Sequence, residues 1–384
     1  MIIDTATLVL LLGLFTVQLP ATIAGSYLIA LALVLSKGSR LRFRQGDFIA
    51  FLLLLAIFTI PALTFNHGGT PLFYLFISPF LALLAYDFSK NSIDHIRIVL
   101  RNSYWIFIIF IGYALAHHWD KPEPLGFILP WASTNGIPSY LIVVQIGYSI
   151  AYYLQFNRLP LLSASTTFAI SIFGLGRGSI IVAFLILFIS LFGNILLLKA
   201  KQDRLILLKL VLIGFAPLIF IFYYSSQEIF EAIGAAFDGS KFASGVLDEH
   251  RGRILSDYLG KLDAASLLFG TSYEQTSINQ LYGGNPHSSF VRAHSFYGLV
   301  ALFVVFLPVL ILVLSKRDPI QKLISTLLIL LVLIRATSEP IFFPSTLDFF
   351  YYLYFLIFFR FSKKRTQKIQ GRYSDANFDI CKIP

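Results

Sequence analysis

Apolar runs long enough to cross a lipid bilayer, separated by short polar links, fill almost the whole chain. A helix crossing about 30 Å of hydrocarbon needs roughly 20 apolar residues, or a few fewer where aromatic residues flank it. Twelve runs approach that length, centred on residues 2–19, 21–36, 47–65, 72–86, 103–117, 137–154, 160–175, 178–198, 206–224, 291–314, 323–337 and 347–361. Only Pro20 separates the first two. The pattern predicts an all-α, polytopic membrane protein of about 12 transmembrane helices, forming a single integral membrane domain over residues 1–384. One stretch breaks it. Residues 225–290 are polar and hold eight of the chain's twenty acidic residues, so they read as one large loop carrying short amphipathic helices.

Composition agrees with lipid as the solvent. The chain is 57% hydrophobic, only 13% charged, and has a mean hydropathy of +0.76. A soluble domain of this length could not bury so much apolar surface. The net charge of +10 would suggest nucleic acid in a soluble protein. Here the basic residues fall in links between apolar runs, where they act as topology determinants, so no nucleic-acid partner is expected. With the N-terminus cytoplasmic, 22 of the 30 basic residues lie in inner links or in the basic tail, 362–384 with Arg360 just before it. Positive charge resists translocation, so both termini are expected inside and the 225–290 loop outside. The start of the chain lacks a basic segment and a cleavage site, so the first run is expected to remain as a helix. Its single cysteine, Cys381, excludes an internal disulfide.

Eight basic residues are left outside or at the outer boundary: Lys121, Arg177, Lys241, Arg251, Arg253, Lys261, Arg292 and Arg335. Arg177 lies in Phe173-Gly-Leu-Gly-Arg-Gly-Ser179, a tight turn whose alternating glycines let backbone approach a bulky anion at a helix start. A guanidinium there is a permanently charged fork suited to phosphate oxygens, or else a snorkelling side chain at a helix end. The segment 248–262 reads as an amphipathic helix with Ile254, Leu255, Tyr258, Leu259 and Leu262 in one apolar stripe. It would present Arg251 or Arg253 toward the bundle, unless the two arginines merely pair with Asp248 and Glu249. Where the loop re-enters the membrane, His287 follows a proline and precedes a helix, with Arg292 and His294 further in. A histidine there can take a proton from a hydroxyl or hydrogen-bond a phosphate, or simply cap the helix. Arg335 and Glu339 are spaced to pair with one another.

No HExxH, paired-aspartate, cysteine-cluster or P-loop pattern occurs, so neither a metal site nor a nucleotide cofactor is expected. Few acidic residues fall within the spans, which argues against an ion-coupled transporter.

Three features follow in order: Arg-Gly-Ser in an outer turn, a long outer loop with an arginine-bearing helix, and His-Ser entering a span that continues Tyr-Gly-Leu. Over roughly residues 160–315 this resembles the superfamily of O-antigen polymerases and O-antigen ligases, bacterial inner-membrane glycosyltransferases. Gly176-Arg177-Gly178 stands where the family has Ser-Arg-Gly, Leu267-Leu-Phe-Gly-Thr-Ser272 lacks the family's second glycine, and His287-Ser288 replaces His-Asn. The resemblance implies metal-independent transfer of a glycan from an undecaprenyl-pyrophosphate carrier to a lipid-linked repeat unit. It implies catalytic roles for His287, Arg177 and Arg253, with Arg251, Arg292, His294 and Tyr258 as further contacts to pyrophosphate or glycan. It also implies a chain-length regulator as partner. A ligase acting on lipid A core shares the donor, and a flippase for the same lipid-linked glycan is the alternative of another class.

Overall fold

The computed structural model describes residues 1–16, 77–121, 124–127, 135–174, 176–197, 249–273 and 285–362, with isolated positions between 49 and 61 and between 276 and 280. The expected spans at 21–36 and 206–224, most of the one at 47–65, the stretch 225–248 and the tail beyond 362 lie outside the described residues. Every regular element among the described residues is helical.

In chain order the helices are α1 (Ile2–Thr16), α2 (Ile77–Ser89), α3 (Ile93–His117), α4 (Gly136–Phe156), α5 (Leu161–Phe173), α6 (Arg177–Leu196), α7 (Glu249–Gly260), α8 (Ala264–Phe269), α9 (Ser289–Leu314) and α10 (Pro319–Ala336). A final helix, α11, covers 348–362. Five of these, α3, α4, α6, α9 and α10, are long and apolar enough to cross a membrane. Their bounds follow the apolar runs with one informative departure. The expected span at 103–117 begins ten residues earlier, at Ile93. Ser92 caps it by accepting from the His95 amide, Asp94 sits in the first turn, and Arg97 bonds Asp94 and Gln155. Two polar turns thus extend the helix past its apolar stretch, and Arg97 and Arg101 lie within α3 rather than in a link.

α4 is the central helix. It packs against α1, α3, α5, α6 and α10, and 89% of its apolar window is buried. Only a helix with neighbours on every side can be that enclosed. Glycine allows one of these contacts: a Cβ on Gly147 would stand 3.2 Å from the Tyr354 ring of α11. Polar groups inside are satisfied internally, as an apolar surround demands. Tyr354 donates to the Val143 carbonyl at 2.6 Å, and Tyr104 donates to that of Ser163 at 2.7 Å. In the link from α4 to α5, the Asn194 amide of α6 serves both backbone groups of Leu159, at 2.6 and 2.9 Å. Arg360 caps the end of α2 through the Ser89 and Lys90 carbonyls.

The outward surfaces are apolar. Ile109 and Tyr113 on α3 and Phe303 and Leu314 on α9 are all more than 65% exposed. Contiguous exposure of this kind suits contact with lipid. α10 completes the frame by packing against α4, α6 and α9, which brings the ends of all four helices to one end of the bundle.

Candidate functional site

The last turn of α10 organises that end. Arg335 is 2% exposed, and its guanidinium is engaged on every side. Nε donates to Ser139 of α4 and to Ser179 of α6, each at 2.9 Å. Nη1 donates to Ser338 at 2.7 Å, and Nη2 forms an ion pair with Glu339 at 3.1 Å. The pairing expected from sequence is therefore present, as one part of a larger hub. A fork with five N–H donors can tie three helices together where a lysine could not.

The glycine turn packs directly on this hub. A Cβ on Gly178 would stand 3.2 Å from Arg335 Nη1, and one on Gly176 would stand 2.5 Å from Asn135 Oδ1 at the start of α4. Small residues on both sides of Arg177 thus let the start of α6 nest against α4 and α10. Arg177 is the first residue of α6, partly exposed, and Gly176 supplies no side-chain cap. Amide groups at such a helix start favour negative charge.

The same segment holds the start of α9. Ser289 donates to the Glu339 carbonyl at 2.8 Å and accepts from the Phe342 amide at 3.0 Å. His287 precedes it by two residues. Its backbone is set by an Asx turn in which the Asn285 side chain accepts from the His287 amide at 2.9 Å, with φ at 47°. Ser288 then caps α9. The residues bonded to the 335–339 segment, Ser179 and Ser289, therefore lie two positions from Arg177 and two from His287.

Arg292 has a different setting. Its Nη2 donates to the carbonyls of Pro340 (2.6 Å) and Phe342 (2.9 Å), bracing the turn that leads to α11, while its Nε is buried with no partner.

α7 and α8 are held to α9 by a second set of contacts. Tyr258 and His294 meet at 2.7 Å, and the other ring nitrogen of His294 lies 2.9 Å from the Leu267 carbonyl. With Nε2 donating to that carbonyl, Nδ1 accepts from the tyrosine hydroxyl, so both ring nitrogens are committed within the protein. Burial raises the pKa of Tyr258, which keeps its proton on the phenol. Ser295 donates to the Thr271 carbonyl at 2.6 Å. α8 is capped by Asp263 and Ser266 reciprocally, and the Ser266 hydroxyl holds the Asp263 carboxyl below its ordinary pKa. Backbone meets backbone at two glycines with left-handed φ: Gly270 (87°), whose Cβ would fall 2.3 Å from the His294 carbonyl, and Gly298 (65°), whose Cβ would fall 2.0 Å from that of Leu268. Gly298 breaks the helical path of α9 at that contact.

The apolar stripe expected on 248–262 is divided. Ile254 and Tyr258 are buried with Val291 and Ile278, whereas Leu255 and Leu259 are exposed. Four-residue spacing puts the first pair on the face that meets α9 and turns the second pair about 100° away. Arg253 is exposed on α7. Arg251 lies in the first turn, its side chain outside the described residues.

Among the expected site residues, then, Tyr258 and His294 bond one another, while Arg177 opens α6 and His287 stands two residues before α9, two helix starts joined through the 335–339 segment. Arg253 belongs to α7, which Tyr258 joins to α9. Sequence reasoning passed over Asn135 and Ser139, which carry no signal of their own, and placed Ser179 in the glycine turn without pairing it with Arg335. Among the described residues no cluster of histidine, cysteine and carboxylate side chains could hold a metal ion. Comparison with protein-family models, curated proteins and solved structures gives no match.

Proposed function

We propose that the protein is a polysaccharide polymerase of the inner membrane, transferring glycan from an undecaprenyl-pyrophosphate carrier to a lipid-linked repeat unit on the periplasmic face. The reading includes about twelve spans, cytoplasmic termini and 225–290 as the periplasmic loop. The observation that carries it is the shared anchorage of the helix starts bearing Arg177 and His287 on the Arg335–Glu339 segment. An exported arginine at a helix start with no side-chain cap sets a guanidinium fork beside backbone amides whose dipoles favour an anion.

In this reading the acceptor hydroxyl attacks the anomeric carbon of the donor glycan. The new bond forms from hydroxyl oxygen to that carbon, and the bond from carbon to the phosphate oxygen breaks. His287 takes the hydroxyl proton. The electron pair leaves with the lipid pyrophosphate, whose added charge falls to Arg177 and Arg253. Permanently charged guanidiniums can do this without a metal ion. Tyr258 and His294 support the step by holding α7 to α9.

The test is reconstitution of the full chain in liposomes with undecaprenyl-pyrophosphate-linked repeat units as the only glycan. Lengthened glycans on the carrier are the expected product. An unchanged donor overturns the polymerase reading. Transfer that appears only when lipid A core is added identifies a ligase with the same donor.

A further inference from the structure

Helices α7 and α8 carry an exposed apolar surface that the α9 contact leaves uncovered. Leu255 and Leu259 on α7 are 47% and 54% exposed, and Leu267 and Leu268 on α8 are 45% and 52% exposed. Asp257 and Arg253, also exposed, lie on α7 about 120–180° around from the centre of the Leu255–Leu259 face. α7 therefore has three sectors: a packed one with Ile254 and Tyr258, an exposed apolar one, and a polar one roughly opposite the leucines. A helix surrounded by water gains nothing from the middle sector, whereas one lying flat at a membrane boundary requires it.

The depth of α8 agrees. The Leu268 carbonyl touches Gly298, sixteen residues above the far end of α9 at Leu314. At a rise of about 1.5 Å per residue that contact stands about 24 Å from that end. The hydrocarbon layer is about 30 Å thick. With Leu314 at one face of the hydrocarbon, the clasp at Gly270 and Gly298 sets α8 beside a membrane-length helix within about 6 Å of the other face. Lower on the same helix, Phe303, Phe306, Leu307 and Leu310 are exposed as well.

We propose that Leu255, Leu259, Leu267 and Leu268 form a foot by which α7 and α8 rest in the acyl-chain boundary of the bilayer. The foot holds the polar face of α7 toward water at a fixed height above the lipid. Each leucine contributes through apolar area withdrawn from water, and the clasp to α9 fixes the orientation in advance. The foot stands whether or not the chain transfers glycans.

The experiment uses the full chain in liposomes of phosphatidylethanolamine and phosphatidylglycerol. Replacing the only cysteine, Cys381→Ser, permits single cysteines at the four leucines and, as controls, at Ser256 and Asp257. Nitroxide labels at the leucine positions are expected to collide more often with oxygen than with a water-soluble nickel chelate, and the controls to show the reverse. Nickel-dominated collisions at all four leucines overturn the proposal, as does shielding from both reagents, which would mean a protein cover. If the cysteine variants do not fold, the unaltered chain can be photolabelled with a diazirine on the phospholipid acyl chain. Labelling of peptides spanning 255–268 together with those of α9 is expected; labelling confined to α9 overturns the foot.

Discussion

The Nε of Arg335 lies 2.9 Å from the Oγ of Ser179, joining the last turn of α10 to the first turn of α6. That bond, with those to Ser139 and Glu339, makes one buried guanidinium the fastening of three helix ends.

Removing it leaves a buried carboxylate without its cation. Breaking a buried pair in this way costs about 3–5 kcal/mol. Arg335→Leu is therefore expected to lower the thermal midpoint in detergent well below that of Glu339→Gln. The double variant should recover part of the loss, and a simple sum of the two single effects would show that the pair is not coupled.

The two left-handed glycines make a sharper prediction. A methyl group at Gly298 would meet the Leu268 carbonyl at 2.0 Å and one at Gly270 the His294 carbonyl at 2.3 Å, both rigid backbone. Gly298→Ala or Gly270→Ala should release α8 from α9 and accelerate amide exchange across 264–273. Gly252→Ala, with nothing within 4 Å, should leave the same amides unchanged.

Tyr258→Phe removes only the hydroxyl that reaches His294. A buried ring nitrogen left without its partner costs about 1–3 kcal/mol. The measurable result is faster exchange in α7 with protection of α4 unaltered. Equal loosening of both would mean that the tyrosine supports the whole bundle rather than the clasp.

On the proposed chemistry, Arg177→Ala, Arg253→Ala and His287→Ala should each abolish polymer formation while the protein still accumulates in membranes. Arg177→Lys should restore little, because a point charge cannot reproduce a bidentate fork. Full polymer length in the lysine variant would reduce Arg177 to a residue that fixes topology.

Membrane-length helices were legible because hydrocarbon demands one property over a whole segment, and α4, α6, α9 and α10 fall where the apolar runs lie. The spacing of Arg335 and Glu339 likewise announced an ion pair four residues apart. Sequence alone did not reveal that Ser139 and Ser179 complete that hub, since a serine in a span reads the same whether it faces lipid or a guanidinium. Nor could it divide the stripe on α7, because periodicity marks apolar positions without saying which neighbour covers them. Ile254 and Tyr258 are buried because α9 and Ile278 arrive there; Leu255 and Leu259 are not. Local chemistry determined the helices and their caps, whereas the two left-handed glycines are set by where α8 meets α9. Which helix ends meet depends on contacts between residues 50 to 196 positions apart, and only the folded chain brings those together.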